Sequence, residues 1–376
     1  MAHVIRLEGV TKVYPGQGRP AVDELDLEVG AGQVCVLVGP SGCGKTTTLK
    51  MINRLIEPSG GRILIDDRDV TQVDPVALRR TIGYVIQEIG LFPHMTVAEN
   101  VAVVPRLLRW SPPRIRDRTA ELLELVGLAP DEFSAKYPRQ LSGGQKQRVG
   151  VARALAADPP LLLMDEPFGA IDPITRERLQ NEFLDIQGKL HKTVVFVTHD
   201  INEGLKVGDT IAVMREGRLV QHTGPRDLLA CPADEFVADF VGADRALKRL
   251  HLIRVGEVME ADPGALSLAS GCGEAVERLR RAGRSWAYVV DDGGRLAGYA
   301  SDADLERGAT TVREVVRRVS TTVYPAATVA DALTEMLTYG VGSLGVVDER
   351  GVLRGVISLA LVQDVLQAPS GEEGAG

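Results

Sequence analysis

The chain has 376 residues, 44% of them hydrophobic and 25% charged. That balance matches an ordinary globular protein and excludes a disordered or fibrous chain, while the length suggests two or three domains. Lys and Arg total 43 against 51 Asp and Glu, a formal charge of -8, which argues against a general nucleic-acid binder.

Cys35, Cys43, Cys231 and Cys272 form no CxxC pair, so neither a zinc ribbon nor a thioredoxin-type motif is expected and the thiols read as reduced. The first residues lack the apolar core of a signal peptide. No stretch approaches the roughly 20 apolar residues of a membrane span. Action at a membrane would therefore need other chains to supply the spans.

From residue 1 to about 240, short apolar runs alternate with helical patterns. Gln33–Val38, Leu161–Met164 and Thr193–Val197 read as buried strands. Strands separated by helices imply a mostly parallel sheet covered on both faces. Between them, residues 91 to 157 read as a helical insertion, with an amphipathic piece at Thr119–Val126.

The first strand runs straight into Gly39, Pro40, Ser41, Gly42, Cys43, Gly44, Lys45, Thr46 and Thr47. This is the phosphate-binding pattern GxxxxGK[ST] in its required strand–loop–helix setting. Glycines let backbone N–H groups wrap phosphates, and the helix N-terminus adds positive potential. Lys45 would reach the β- and γ-phosphates, and Thr46 would hold Mg²⁺. The apolar strand at Leu161 ends in Asp165 and Glu166. Ligands of open α/β sheets bind at such strand ends, so Asp165 is a candidate for Mg²⁺ and Glu166 for polarising an attacking water. Leu141-Ser142-Gly143-Gly144-Gln145 precedes a helix. Alone it reads either as a helix cap or as a second phosphate-facing loop.

Together these motifs resemble the ATP-binding cassette (ABC) ATPases, whose LSGGQ signature stands here unaltered. The resemblance covers residues 4 to about 240. It implies that ATP lies between two cassettes of a head-to-tail homodimer, with Ser142, Gly143, Gly144 and Gln145 acting across the interface. It further implies that Gln87 senses Mg²⁺ and the γ-phosphate and contacts a membrane partner. His199 would contact the γ-phosphate, Tyr14 would stack on adenine, and Asp172 would lie in the loop that crosses to the partner. Lys45 and Asp165 have no long coiled coil between them, and the chain carries one cassette. Both features favour an importer subunit over chromosome-maintenance or translation-type relatives. The stretches Thr81–His94 and Met164–Arg176 resemble the glycine betaine/carnitine/choline uptake ATPases. The family implies permease subunits, a substrate-binding protein, no nucleic acid, and a place on the cytoplasmic face of the cell membrane. An importer ATPase for another small solute and a soluble regulatory ABC ATPase remain the alternatives. The apolar residues from Ile89 to Met95 read either as a knob for a membrane-subunit helix or as core.

Residues 253 to 368 contain a two-copy repeat. Glu257-Val258 aligns with Glu314-Val315, Gly283 with Gly340, Val290-Asp291 with Val347-Asp348, and Ser301 with Ser358. Each copy reads helix, strand, turn, strand, helix. The pair resembles tandem cystathionine-β-synthase (CBS) modules, which implies a G-x-x-[ST]-x-x-D ribose and phosphate site. Gly298, Ser301 and Asp304 fit it, but Leu361 replaces the acid in the second copy. A regulatory nucleotide is one candidate ligand. Anionic lipid is another, through Arg278, Arg280, Arg281 and Arg284 and through Arg313, Arg317 and Arg318, which read alternatively as solvated faces. The expected fold is thus an α/β P-loop (RecA-like) cassette with a helical subdomain over residues 1–242. An α+β CBS pair follows at 253–308 and 312–368, and then a disordered tail at 369–376.

Overall fold

The computed structural model describes residues 5–367 apart from Gln17, Glu88, Ile89 and Ala170. The expected disordered tail lies outside the described residues. Two compact units emerge, one of residues 1–228 with 232–241, the other of 229–231 with residues 242 onward.

The first unit holds two sheets. β1 (Ile5–Lys12), β2 (Val22–Val29), β4 (Gly60–Ile65) and β5 (Arg68–Asp69) form an antiparallel sheet in the order β2-β1-β4-β5. The second sheet takes β3 (Val34–Val38), β6 (Ile82–Val85), β7 (Leu161–Asp165), β8 (Thr193–Val197), β9 (Thr210–Arg215) and β10 (Arg218–Thr223) in the order β10-β9-β3-β8-β7-β6. Its pairs are parallel except for β9 with β10. β3, β7 and β8 are buried at every position, which is why they read as unbroken apolar runs rather than alternations. The antiparallel sheet was not expected. β2, Val-Asp-Glu-Leu-Asp-Leu-Glu-Val, alternates buried and exposed residues and so presents a single face to the core. Leu25, Leu27 and Val29 join Leu37, Met51, Leu163 and Val195 in one core that unites both sheets.

The helical insertion comprises Val97–Val101, Val103–Leu107, Pro112–Leu125, Pro130–Phe133 and Gly143–Leu155. The amphipathic helix starts at Pro112, earlier than the apolar pattern indicates. Two prolines fit its first turn, where no N–H partner is lost.

In the second unit each repeat forms a three-stranded sheet. β11 (Leu266–Ser267), β12 (Trp286–Val290) and β13 (Leu296–Ser301) make the first; β14 (Thr322–Val323), β15 (Ser343–Val347) and β16 (Leu353–Ser358) make the second. β11 and β14 each run parallel to the middle strand of their sheet. Two-residue strands carry no readable period, so the repeat pattern had shown only the longer pair. Helices Cys272–Arg281 and Val329–Tyr339 cover these sheets and close two separate small cores.

Candidate active site

Four neighbouring parallel strands, β3, β8, β7 and β6, finish at the same sheet edge because their registers align. Leu37 pairs with Val197, Val197 with Asp165, and Met164 with Val85. The residues just beyond those ends are Gly39, Thr198 and His199, Glu166, and Gln87. One edge therefore collects groups from distant parts of the chain, and it includes the point where β3 has neighbours on both sides.

The loop after β3 is shaped by glycine. Gly39 has φ 150°, and a Cβ there would sit 2.2 Å from the Met214 carbonyl oxygen. Gly44 has φ 104°, and its Cβ would lie 2.5 Å from the Ala21 oxygen. Neither position tolerates a side chain, so the tight turn into the helix Lys45–Ile52 requires both. Lys45 is buried, and its Nζ donates to the carbonyls of Gly39 at 2.7 Å and Pro40 at 3.0 Å. Pro40, Ser41 and Gly42 are exposed, Cys43 is buried, and Thr46 and Thr47 are half-buried.

Thr46 Oγ1 donates to Asp165 Oδ1 at 2.9 Å. Asp165 is buried, and this burial raises its pKa above the ordinary carboxylate range despite the Thr46 hydrogen bond. Two hard oxygen donors side by side, one of them a carboxylate, fit Mg²⁺, which takes few protein ligands and fills its shell with phosphates and water. Beside them, the Tyr84 hydroxyl is pushed up to about 12 by burial and by the Asp165 charge.

Glu166 stands at the centre of the edge. Its backbone has φ 44°, a left-handed conformation unfavourable for a non-glycine residue. The Glu166 N–H donates to the Val197 carbonyl at 2.9 Å. Gln87 Nε2 donates to Glu166 Oε2 at 3.0 Å, and His199 Nδ1 lies 3.3 Å from the same oxygen. Strain of this kind persists only where surrounding bonds hold it, and it concentrates at functional sites.

Ser142 caps the helix Gly143–Leu155. Gln145 N–H donates to Ser142 Oγ at 3.3 Å, and Ser142 N–H donates to Gln145 Oε1 at 2.9 Å. Asp172 caps the helix Pro173–Leu190 by accepting from Thr175 N–H at 3.0 Å, which lowers its pKa. Ser142 to Gln145 and Asp172 line a shared cavity of about 390 Å³, whose lining includes no residue of the 39–47 loop. Tyr14 follows β1 half-buried, with Lys12 Nζ 5.3 Å from its ring centroid.

Sequence reasoning missed several groups that brace this edge. Arg176 Nη2 donates to the Ile171 carbonyl at 3.1 Å, and its guanidinium lies 3.9 Å from Asp200 and 3.8 Å from Glu203. Glu203 is buried, its pKa is raised by that burial, and it accepts from Thr198 Oγ1 at 2.7 Å. Arg176 and Glu203 thus join the Asp172 loop to the His199 loop. Asn100 is fully buried and donates to the carbonyls of Phe92, Met95 and Thr96 while accepting from Phe92 N–H. It holds Phe92 to Thr96 in shape and leaves Phe92 40% exposed, so Phe92 is not core. Ile89 lies outside the described residues. No local motif marks the Arg176–Glu203 contact, since it joins two loops, and Asn100 bonds within its own stretch from Phe92 to Thr96 without matching any named pattern.

Comparison with known proteins names the family. The ABC transporter model matches residues 22–169, and the CBS domain model matches residues 255–308 and again 312–366. The glycine betaine/carnitine/choline transport ATP-binding protein OpuCA of Bacillus subtilis is 46% identical over 367 residues, covering 96% of both chains. The chain belongs to the ATP-binding subunits of ABC transporters. The osmoprotectant import ATP-binding protein OsmV of Salmonella typhimurium is 47% identical to this ABC subunit, covering 97% of each chain. Among solved structures, a dimeric post-hydrolysis state of the ATP-binding cassette MJ0796, bound to ADP and Pi, matches with TM-score 0.53 and 35% identity. That match covers 59% of this chain and 98% of that one. The ABC subunit is thus an ATPase whose cassette is followed by a CBS pair. Among its described residues no helix is long and apolar enough to cross a membrane.

In the CBS pair, Ser301 caps the short helix Asp302–Leu305, and its hydroxyl donates to Asp304 Oδ2 at 2.7 Å. Asp304 is buried and also pairs with Arg317; the Ser301 bond and then Arg317 hold its pKa below the usual range. The arginines of the two runs are partly neutralised, with Arg280 on Glu306, Arg281 on Glu277 and Arg284 on Glu260.

Proposed function

We propose that this subunit drives import of quaternary ammonium osmolytes such as glycine betaine, carnitine and choline. It would act as a homodimer of cassettes on the cytoplasmic face of the membrane, beneath permease subunits fed by a substrate-binding protein. The observation that carries the catalytic part is the convergence of Gln87 and His199 on one oxygen of Glu166, beside the Thr46–Asp165 pair. The transport names of relatives similar over nearly the whole chain support the cargo class.

In this reading Lys45 exchanges the Gly39 and Pro40 carbonyls for ATP phosphate oxygens. Thr46 and Asp165 hold Mg²⁺, with Gln87 beside them, and the metal would offset charge developing on the phosphates. Glu166 accepts a proton from the attacking water, and His199 donates toward the γ-phosphate. Tyr14 stacks on adenine. Ser142 to Gln145 and the Asp172 loop serve the partner's ATP, which fits their sharing a cavity apart from the phosphate loop. The exposed Phe92 segment meets the permease. The CBS pair regulates transport and takes no part in hydrolysis, with a nucleotide or anionic lipid as candidate ligands. The test of cargo is calorimetry on the cognate binding protein. Glycine betaine or a close analogue should bind; a protein that takes a sugar or an inorganic anion and ignores betaine refutes the reading.

A further inference from the structure

Within the second unit a cavity of about 520 Å³ is lined by Trp286, Tyr288 and Tyr299 of the first repeat and by Thr321, Ser343 and Ser358 of the second. Strand alternation places Trp286 and Tyr288 on the same face of β12, and Tyr288 pairs directly with Tyr299 of β13. The Trp286 ring stands at 85° to Tyr288 with centroids 5.0 Å apart, and at 89° to Tyr299 with centroids 6.4 Å apart. Two rings perpendicular to a third make an aromatic corner. Tyr288 Oη donates to the Ser343 carbonyl at 3.4 Å, which ties that ring to the second repeat.

The lining contains no Lys, Arg, Asp or Glu among the described residues. The nearby Arg317 guanidinium touches the Tyr299 side chain but is already paired with Asp304, so a phosphate-bearing ligand would find no unpaired counter-charge, and burying an unpaired charge is costly. Asp304, the acid suited to a ribose, is engaged with Ser301 and Arg317 and is not part of the lining. A zwitterion has no net charge to offset. Its trimethylammonium end would meet aromatic faces, and its carboxylate would accept from the hydroxyls of Ser343 and Ser358, the Thr321 hydroxyl being already donated to Glu335 Oε2 at 2.6 Å. The volume exceeds that of glycine betaine and leaves room for water or for a longer chain such as carnitine's.

We infer that this cavity binds a quaternary ammonium zwitterion, so that the tail reads the accumulated level of the solute class the importer carries. The regulatory meaning rests on the cargo proposed above; the binding claim rests on the cavity alone. The test uses the full chain with Trp110→Phe, which leaves Trp286 as the single tryptophan of the two in the sequence. Titration with glycine betaine should change Trp286 emission and give a single-site calorimetric isotherm. Tert-butylacetate, which has carbon in place of the nitrogen, should not compete. By calorimetry, Trp286→Leu and Tyr299→Leu should each weaken betaine binding at least about tenfold, whereas Tyr299→Phe, which keeps the ring, should bind nearly as well. A circular dichroism spectrum and a thermal transition of the second unit matching the parent's confirm that the CBS pair still folds in these variants, since ATP hydrolysis by the cassette does not report on it. The inference is overturned if betaine gives neither heat nor an emission change, if tert-butylacetate binds equally, or if AMP shifts Trp286 emission and betaine does not displace it. A binding protein that carries some other solute would sink the cargo reading while betaine still bound here. A binding protein that takes betaine beside a silent tail would sink this inference alone.

Discussion

In the cassette, four parallel strands end together and each passes one or two functional groups to the same edge: Lys45 and Thr46, Gln87, Asp165 with Glu166, and His199. In the CBS pair, the aromatic groups of the cavity come from strand faces, where Trp286, Tyr288 and Tyr299 meet through cross-strand pairing. The first arrangement is polar, and its central carboxylate sits on a strained backbone at φ 44°. The second is aromatic and built on regular strands. A site at strand ends is made by loops, and loops need particular residues in sequence order. A site on strand faces is made by side chains two apart and by pairing, so nothing local betrays it. The two repeats differ in the same way: Asp304 is held by Ser301 and Arg317, whereas Leu361 offers no carboxylate at all.

If chemistry belongs to the cassette alone, its edge should fail in distinct ways. The largest effect is expected from Glu166→Gln, which should lower steady-state ATP hydrolysis by roughly 10²- to 10⁴-fold while leaving ATP binding intact. Hydrolysis within a few-fold of the parent would remove Glu166 from its proposed role. Lys45→Ala should act on binding instead. Losing a charged hydrogen-bond donor to the phosphates is worth roughly 10- to 100-fold in ATP affinity, readable by nucleotide titration.

Removing the tail sharpens the contrast from the other side. A chain ending after residue 242 should hydrolyse ATP and support transport with its permease, yet lose a regulatory response of about 5- to 150-fold. Assay in reconstituted vesicles, with and without betaine, salt or nucleotide, decides it. A folded truncation without ATPase activity would show that the tail serves the chemistry after all.

Smaller effects should come from the braces. Arg176→Met removes the link between the Ile171 carbonyl and the Asp200–Glu203 side, and should lower kcat about fivefold, the worth of one ordinary hydrogen bond. ATP affinity should stay put; a change in affinity without a change in kcat would count against the brace.

The mildest prediction concerns pH. Asp165 has a folded-state pKa raised by burial. The cost of its buried charge is therefore present at neutral pH and is relieved as pH falls through that raised value. Asp165→Asn should accordingly give the nucleotide-free chain a Tm equal to or above the parent's at neutral pH. The parent should approach the variant on acidification, and Mg²⁺-dependent stabilisation by ATP should vanish in the variant. A lower Tm for Asp165→Asn would contradict this account.

The sequence alone determined the phosphate loop, the Asp165–Glu166 strand end and the repeat, because each depends on consecutive residues whose types are dictated locally. Gly39 and Gly44 are required by contacts that no Cβ survives, and the apolar runs of β3, β7 and β8 follow from burial on both faces. The resemblance drawn from those motifs supplied Gln87, His199 and Asp172. Only the tertiary structure decided that Gln87 and His199 share one oxygen of Glu166, that Arg176 and Glu203 join two loops, and that three aromatic residues form a corner. Those relations depend on strand order and register, which bring together residues far apart in the chain. No periodicity encodes them, because the energy that fixes them comes from packing between elements rather than within any one.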